Sequence, residues 1–320
     1  MRLHKLDENL IGKKLGTALK TNTGIKIANS GAEISESILQ RLNKYGFNAV
    51  YIEDDNVDIA LKETIPETTR LVLMKKLSSI YDTISKSNEF DESELNRLLR
   101  GDLLPEIENS PVSIPFGIIA KDYDLAYHSI NVCLLVLETG RNYGLDRDKL
   151  EIVAKAALLH DIGKILPDKY GERHEQKAYA FLKGITNSVL LNNAIRFHHE
   201  TIDGKGPEKL ESKYQNELVR ILSLCNYYEN LLTQKRLLPS ECFENIQALT
   251  NFKFDYKAFD AFNKSIFVYP TGVMVKLSNG IEGLVVEQNI NIPSRPVVKA
   301  GNKKYNLLEH LSLFVEAIIL

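Results

Sequence analysis

The stretch from Leu150 to Lys164, LEIVAKAALLHDIGK, constrains this chain more than any other. Leu150, Val153, Ala154, Ala157 and Leu158 recur at the spacing of one apolar helix face, and the next position of that series is Asp161. The stripe therefore aims a carboxylate into a core. An ionised carboxylate buried there needs a partner, and His160 stands beside it with four more histidines in the helical middle of the chain. A metal ion is the partner that satisfies these groups together. Gly163 can end the helix, and Lys164 shares a face with His160 if the helix continues.

Five of the seven histidines, His128, His160, His174, His198 and His199, fall in this middle region. His128 continues a stripe of Val132, Leu135 and Val136, with Asp124 one turn before it. His174 leads Ala178, Phe181, Leu182 and Ile185. His198 continues Leu191, Ala194 and Ile195, and His199 lies next to it on the side of Ile195. Taken singly, each reads as a hydrogen-bonded core histidine. Taken together, five imidazoles and two carboxylates in one small helical core need more partners than apolar helices supply. Imidazole and carboxylate ligation without thiolate suits iron, manganese or zinc. Asp161 is the natural bridging ligand, because a carboxylate offers two oxygens and a neutral imidazole one lone pair. Two ions bridged about 3.5–4 Å apart acidify a water and clamp an in-line displacement at phosphorus, so the ligand set predicts phosphodiester hydrolysis. Lys164 is either a contact to a phosphate oxygen or leaving group, or a solvated lysine after a helix end.

Composition excludes some functions. Forty basic against 42 acidic residues give no whole-chain electrostatic case for a nucleic-acid polymer or an anionic membrane. Cys133, Cys225 and Cys242 are far apart without CxxC spacing and read as buried free thiols in a reducing compartment. The opening MRLHKLDENLIGKKL lacks a signal-peptide apolar run and no 18-residue apolar stretch follows, so a cytoplasmic location is expected.

The sequence predicts three parts: a small α+β module at residues 1–60, a helical unit at 61–265 and a β-rich appendage at 266–320. In the first, Lys14 to Ile27 holds two short strands around a Thr23-Gly24 turn, Ser35 caps a helix to about Tyr45, and Ala49 to Ile52 is a strand. Glu53, Asp54, Asp55 and Asp58 read as a solvated loop, lacking the Gly and terminal Glu of a calcium loop. Helices run from about Thr68 to Lys264, broken by a loop at Glu108 to Phe116 with Pro111 and Pro115. In the last part, Val273 to Leu277 and Leu284 to Glu287 are strands joined by Ser278-Asn279-Gly280, with another at Val297. The fold class is mainly α.

In order, His128, HDIGK at 160–164, His174, His198-His199-Glu200, Asp203-Gly204 and Thr233 to Arg236 resemble the HD-GYP family, phosphodiesterases that hydrolyse cyclic di-GMP. The resemblance runs from about Asp122 to Tyr269, and the flanking segments resemble those that often accompany such domains. It implies an HD-type metal-binding bundle with two divalent ions, permitting a third, with iron or manganese favoured and zinc possible. His128, His160, Asp161, His174, His198 and His199 match metal ligands, and Asp124 stands where members with an additional metal carry a carboxylate. Lys164 matches the catalytic lysine, Asp203 with Gly204 the loop shaping the substrate pocket, and Arg236 a residue near the phosphates, with Lys205 a further candidate for phosphate contact. The implied partners are a cyclic dinucleotide and a second copy of the chain or a signalling protein.

Two positions depart from the family. Gly206 runs straight into Pro207, so the loop lacks its tyrosine. Asn226 stands where the family has an aspartate ligand, and an amide oxygen coordinates without contributing charge. Glu229, nearly on the same helix face, is a candidate substitute. These departures leave two alternatives open: a non-hydrolysing binding module, and a hydrolase of another phosphate ester.

Overall fold

In the computed structural model, which describes residues 1–21, 26–54, 64–107, 111–114 and 124–320, the chain opens on strand β1 (Arg2–Lys5). Strands β2 (Leu19–Lys20) and β3 (Lys26–Ala28), helix α1 (Glu36–Tyr45) and strand β4 (Ala49–Ile52) follow. Ser35 caps α1 by accepting the Ile38 N–H, and Gly46 ends it at φ 81°, where a side chain would be strained. Strands β1 and β4 pair antiparallel. Because successive side chains leave a strand on opposite faces, Leu3, Ala49 and Tyr51 enter the main core, whereas Val50 and Ile52 join Leu15, Ile34, Leu42 and Phe47 in a separate one. Burial on both faces explains the unbroken apolar run of β4. β1 has no counterpart among the predicted strands. Thr23, Gly24, Asp55, Asp58, Pro115 and Asp122 lie outside the described residues.

Helices α2 (Glu67–Ser87), α3 (Glu92–Asn96), α4 (Leu125–Tyr143), α5 (Arg147–Leu159), α6 (His174–Leu182), α7 (Val189–Arg196), α8 (Glu217–Thr233), α9 (Pro239–Leu249) and α10 (Tyr256–Asn263) build the middle. Helix α4 is apolar nearly all round and packs against α2, α5, α8 and α10. Cys133, Cys225 and Cys242 are buried free thiols, and burial pushes the last two up to about 12. Among the described residues no helix is long and apolar enough to cross a membrane.

Strands β5 (Met274–Leu277), β6 (Glu282–Glu287), β7 (Val297–Ala300), β8 (Lys303–Asn306) and β9 (Val315–Ile319) form one antiparallel sheet in the order β8-β7-β6-β5-β9. The last two strands extend the expected appendage. Val273, Val275, Leu277, Val285 and Val298 bury into the main core, and the Leu3 N–H donates to the Gly272 carbonyl at 2.8 Å. Strand β1 thus touches the segment that leads into β5.

Candidate metal centre

Helix α5 ends at Leu159, so the HD pair sits in a turn rather than on the helix that the apolar stripe predicts. Asp161, at φ −100° and ψ 4°, still points inward and is 2% exposed. A Cβ on Gly163 would lie 1.8 Å from the His174 carbonyl oxygen. Glycine is what lets the start of α6 lie on this turn and bring His174 Nε2 to 3.1 Å from Asp161 Oδ1. His128, in the first turn of α4, and His160 each place Nε2 3.5 Å from Asp161 Oδ2. His198 and His199 follow α7, and His198 Nε2 stands 3.9 Å from Oδ1.

Two groups of donors result, His128 with His160 and Asp161, and His174 with His198 and His199, the atoms within each lying no more than 4.8 Å apart. Asp161 turns Oδ2 toward the first and Oδ1 toward the second, as a bridging carboxylate must.

Hydrogen bonds fix which nitrogens face inward. His160 Nδ1 donates to the Ala157 carbonyl at 2.8 Å and His198 Nδ1 to the Ile195 carbonyl at 2.7 Å, leaving each Nε2 as a lone-pair donor. Nε2 atoms stand 3.1 Å apart between His128 and His160, 3.4 Å between His174 and His198, and 3.1 Å between His174 and His199. Facing lone pairs repel unless a proton or cation lies between them, so this donor set fits divalent metal. Burial drives the His160 pKa down to about 3 and that of His198 well below its ordinary value, which keeps both neutral. Burial alone would raise the Asp161 pKa, but His160, His174, His128 and Lys164 together hold it well below the usual carboxylate range. Burial would likewise lower His128, and the Glu229 carboxylate outweighs it and raises the pKa.

The remaining predicted residues divide. Lys164 Nζ lies 2.5 Å from Asp161 Oδ2 with its side chain 37% exposed, at the centre and open to solvent. Asp124 caps α4 by accepting the Tyr127 N–H at 2.8 Å and falls in neither donor group. Asn226 is buried, and its Oδ1 accepts from Asn230 at 2.9 Å. Glu229, the candidate substitute ligand, instead contacts His128 Nδ1, Asn131 and Thr233. Arg236, at φ 57°, donates to the Gly46 carbonyl at 2.8 Å, so the expected phosphate contact sits on the C-terminal end of α1, whose exposed carbonyls attract a cation.

The shortened loop is tied down behind His199. Asp203 accepts from the Thr201 hydroxyl and the Lys205 N–H, Gly204 adopts φ 69°, and Lys205 Nζ lies 3.6 Å from Asp203 Oδ2. Gly206 packs so closely on Glu200 that a Cβ would fall 2.7 Å from its Cα, and the Glu200 carboxylate accepts the Glu208 and Leu210 N–H groups at 2.6 and 2.7 Å. Arg173 and Arg196 both pair with Glu208. Glu208, Asn131 and Arg70 are not among the residues expected from the sequence. The spacing of Asn131 one turn after His128 was the available signal for one of them, and Arg70 offered none.

The HD domain family matches residues 125–231. That stretch, from the start of α4 into the last turn of α8, is what the chain shares with HD domains. Over 224 residues it is 30% identical to the cyclic di-GMP phosphodiesterase PA4108 of Pseudomonas aeruginosa, covering 62% of this chain and 54% of that protein. The chain thus spans about half the length of that relative. Among solved structures it is similar to Bd1817, a HDG"Y"P protein from Bdellovibrio bacteriovorus, at 17% identity and TM-score 0.47 over 82% of this chain and 97% of that one. A cyclic GMP-AMP specific phosphodiesterase of V. cholerae matches at 16% identity and TM-score 0.36, over 43% of each chain. The match covers His128, the His160-Asp161 pair, His174, His198 and His199, the residues on which the sequence resemblance rests.

Proposed function

We propose that this chain is a cytoplasmic, metal-dependent phosphodiesterase acting on cyclic di-GMP, with residues 1–60 as a regulatory unit and the sheet after residue 266 as an appendage. The observation that carries the reading is the convergence of histidine Nε2 atoms on the two oxygens of Asp161. His128, His160, Asp161, His174, His198 and His199 would hold two ions, and similarity to PA4108 supports the substrate class. Iron or manganese is favoured, with zinc possible, because the donors are imidazole and carboxylate.

When bound, the metals supply an acidified water and neutralise charge on the phosphodiester. The protein's own groups do the rest. Asp161, with one oxygen toward each donor group, would help to hold both ions. Lys164, paired with Asp161 yet exposed, can swing to a phosphate oxygen as negative charge shifts onto the leaving oxygen. Asp203, Gly204 and Lys205 line the fixed loop after His199, and Lys205 is the cation there that can meet the second phosphate. In this structure Arg236 is held by the amino-terminal unit.

A second reading, a receptor that binds a cyclic dinucleotide without turnover, is favoured by Asn226, which brings no charge to the aspartate position. Ligand affinity and hydrolysis measured side by side for wild type and Lys164→Ala separate the two. An enzyme loses turnover more than binding in the variant. Tight binding without turnover in metal-loaded wild type would overturn the enzyme reading, and neither binding nor turnover would point to another phosphate ester.

A further inference from the structure

Beside the centre lies a buried carboxylate that neither donor group uses. Glu229 is fully buried, with Oε1 accepting from Asn131 Nδ2 at 3.1 Å and Oε2 shared by the Thr233 hydroxyl at 3.1 Å and His128 Nδ1. Asn131 Oδ1 accepts in turn from Arg70 Nη1 at 2.5 Å. Arg70 comes from α2, outside the residues matched by the HD domain family, is 4% exposed, and lies over the Tyr127 ring at 5.4 Å.

Donor and acceptor chemistry fixes the polarity of this row. A guanidinium only donates, so Asn131 turns its oxygen to Arg70 and its NH2 to Glu229. A carboxylate only accepts, so Glu229 takes an N–H from Asn131 and another from His128 Nδ1. His128 Nε2 then keeps its lone pair, facing His160 Nε2 at 3.1 Å.

We propose that Glu229 is the positioning residue that holds His128 in its ligating tautomer, and that Arg70, acting through Asn131, sets the direction of the hydrogen bonds Glu229 makes. A helix outside the HD domain thereby sets the chemistry of a ligand inside it, an inference that rests on the metal-centre reading. In Glu229→Gln, Asn131 still presents its NH2, so the new amide turns its oxygen to Asn131 and its own NH2 to His128 Nδ1. The His128 proton moves to Nε2 and the donor is lost. Adding Arg70→Met releases Asn131 to turn over, which lets the new amide present its oxygen to His128 again.

The test is Mn2+ titration of the full-length metal-free protein, with 15N NMR of the His128 imidazole above the imidazolium pH range. Wild type shows a protonated Nδ1. Glu229→Gln shows a protonated Nε2 and binds Mn2+ about 10–100-fold more weakly. The double variant regains affinity over Glu229→Gln, although Arg70→Met alone does not tighten binding. Unchanged affinity in Glu229→Gln, or no recovery in the double variant, overturns the proposal. Should Glu229→Gln fail to fold, the wild-type spectrum decides, since a protonated Nε2 there overturns the proposal and a protonated Nδ1 supports it. If wild type binds no Mn2+, the metal reading fails, and the tautomer still decides this one.

Discussion

The two donor groups that share Asp161 are built to different standards. His128 and His160 are 2% and 0% exposed, and each Nδ1 is held from behind, by Glu229 in one case and the Ala157 carbonyl in the other. In the second group only His198 is sealed. His174 has a quarter of its side chain exposed and His199 is open to solvent. A sealed, pre-oriented group loses little freedom on binding a metal, whereas an open one can admit substrate and water. One half of the donor set is thus part of the core, and the other opens to solvent.

Removing the residue common to both halves has the largest effect. Asp161→Ala is expected to lower metal content at both groups and turnover by at least about 10³-fold. Elemental analysis showing loss of one ion alone would break the bridging role. Next in size is the contrast between the halves. His160→Ala opens a cavity in a filled core and is expected to cost the metal-free protein about 2–4 kcal/mol, whereas His199→Ala, at the mouth, stays within about 0.5 kcal/mol. Equal shifts in denaturant unfolding would remove the distinction.

Acidification probes the same contrast. The folded-state pKa of His160 lies near 3 against 6.5 for an unperturbed histidine, and His198 is depressed as well. Between those values the unfolded chain binds more protons, so stability of the metal-free protein falls as pH drops below about 6.5, by roughly 2 kcal/mol from His160 at pH 5. His128 runs the other way. Its raised pKa contributes stability below 6.5 that is lost as pH rises through the folded value. His160, His198 and His199 are all depressed by burial and His128 alone is raised, so net loss is expected, and thermal unfolding between pH 7 and 5 that shows no loss contradicts it.

The smallest expected effect is at Asn226. Asn226→Asp should tighten metal binding and raise hydrolysis together, by about tenfold or less. No change in either would show that the centre does not use that position.

How much of this was legible in the sequence follows from how each feature is built. The apolar stripe ending at Asp161 gave the buried carboxylate because a periodic face needs only local geometry. It overran the helix by two residues, since the stripe cannot show that Gly163 must sit against the His174 carbonyl. The strand pattern of the carboxy-terminal sheet was visible at Val273 to Leu277, but β8 carries Lys303 and Lys304 at an edge and lacks the apolar run that would announce it. Spacing from Asn226 makes Glu229 a candidate substitute ligand. Its actual partners depend on Asn131 and Arg70, which approach from two other helices. Arg236 was placed by motif alone, and the contact with Gly46 joins residues 190 positions apart that no local pattern connects.

In the proposed reading, six side chains would hold two ions around Asp161. Its most direct test is to titrate the metal-free protein anaerobically with Mn2+ and count bound ions by elemental analysis. Two ions per chain, the first held more tightly than the second, is the predicted result. A protein that retains none, or that binds one ion with Asp161→Ala binding the same number, contradicts it.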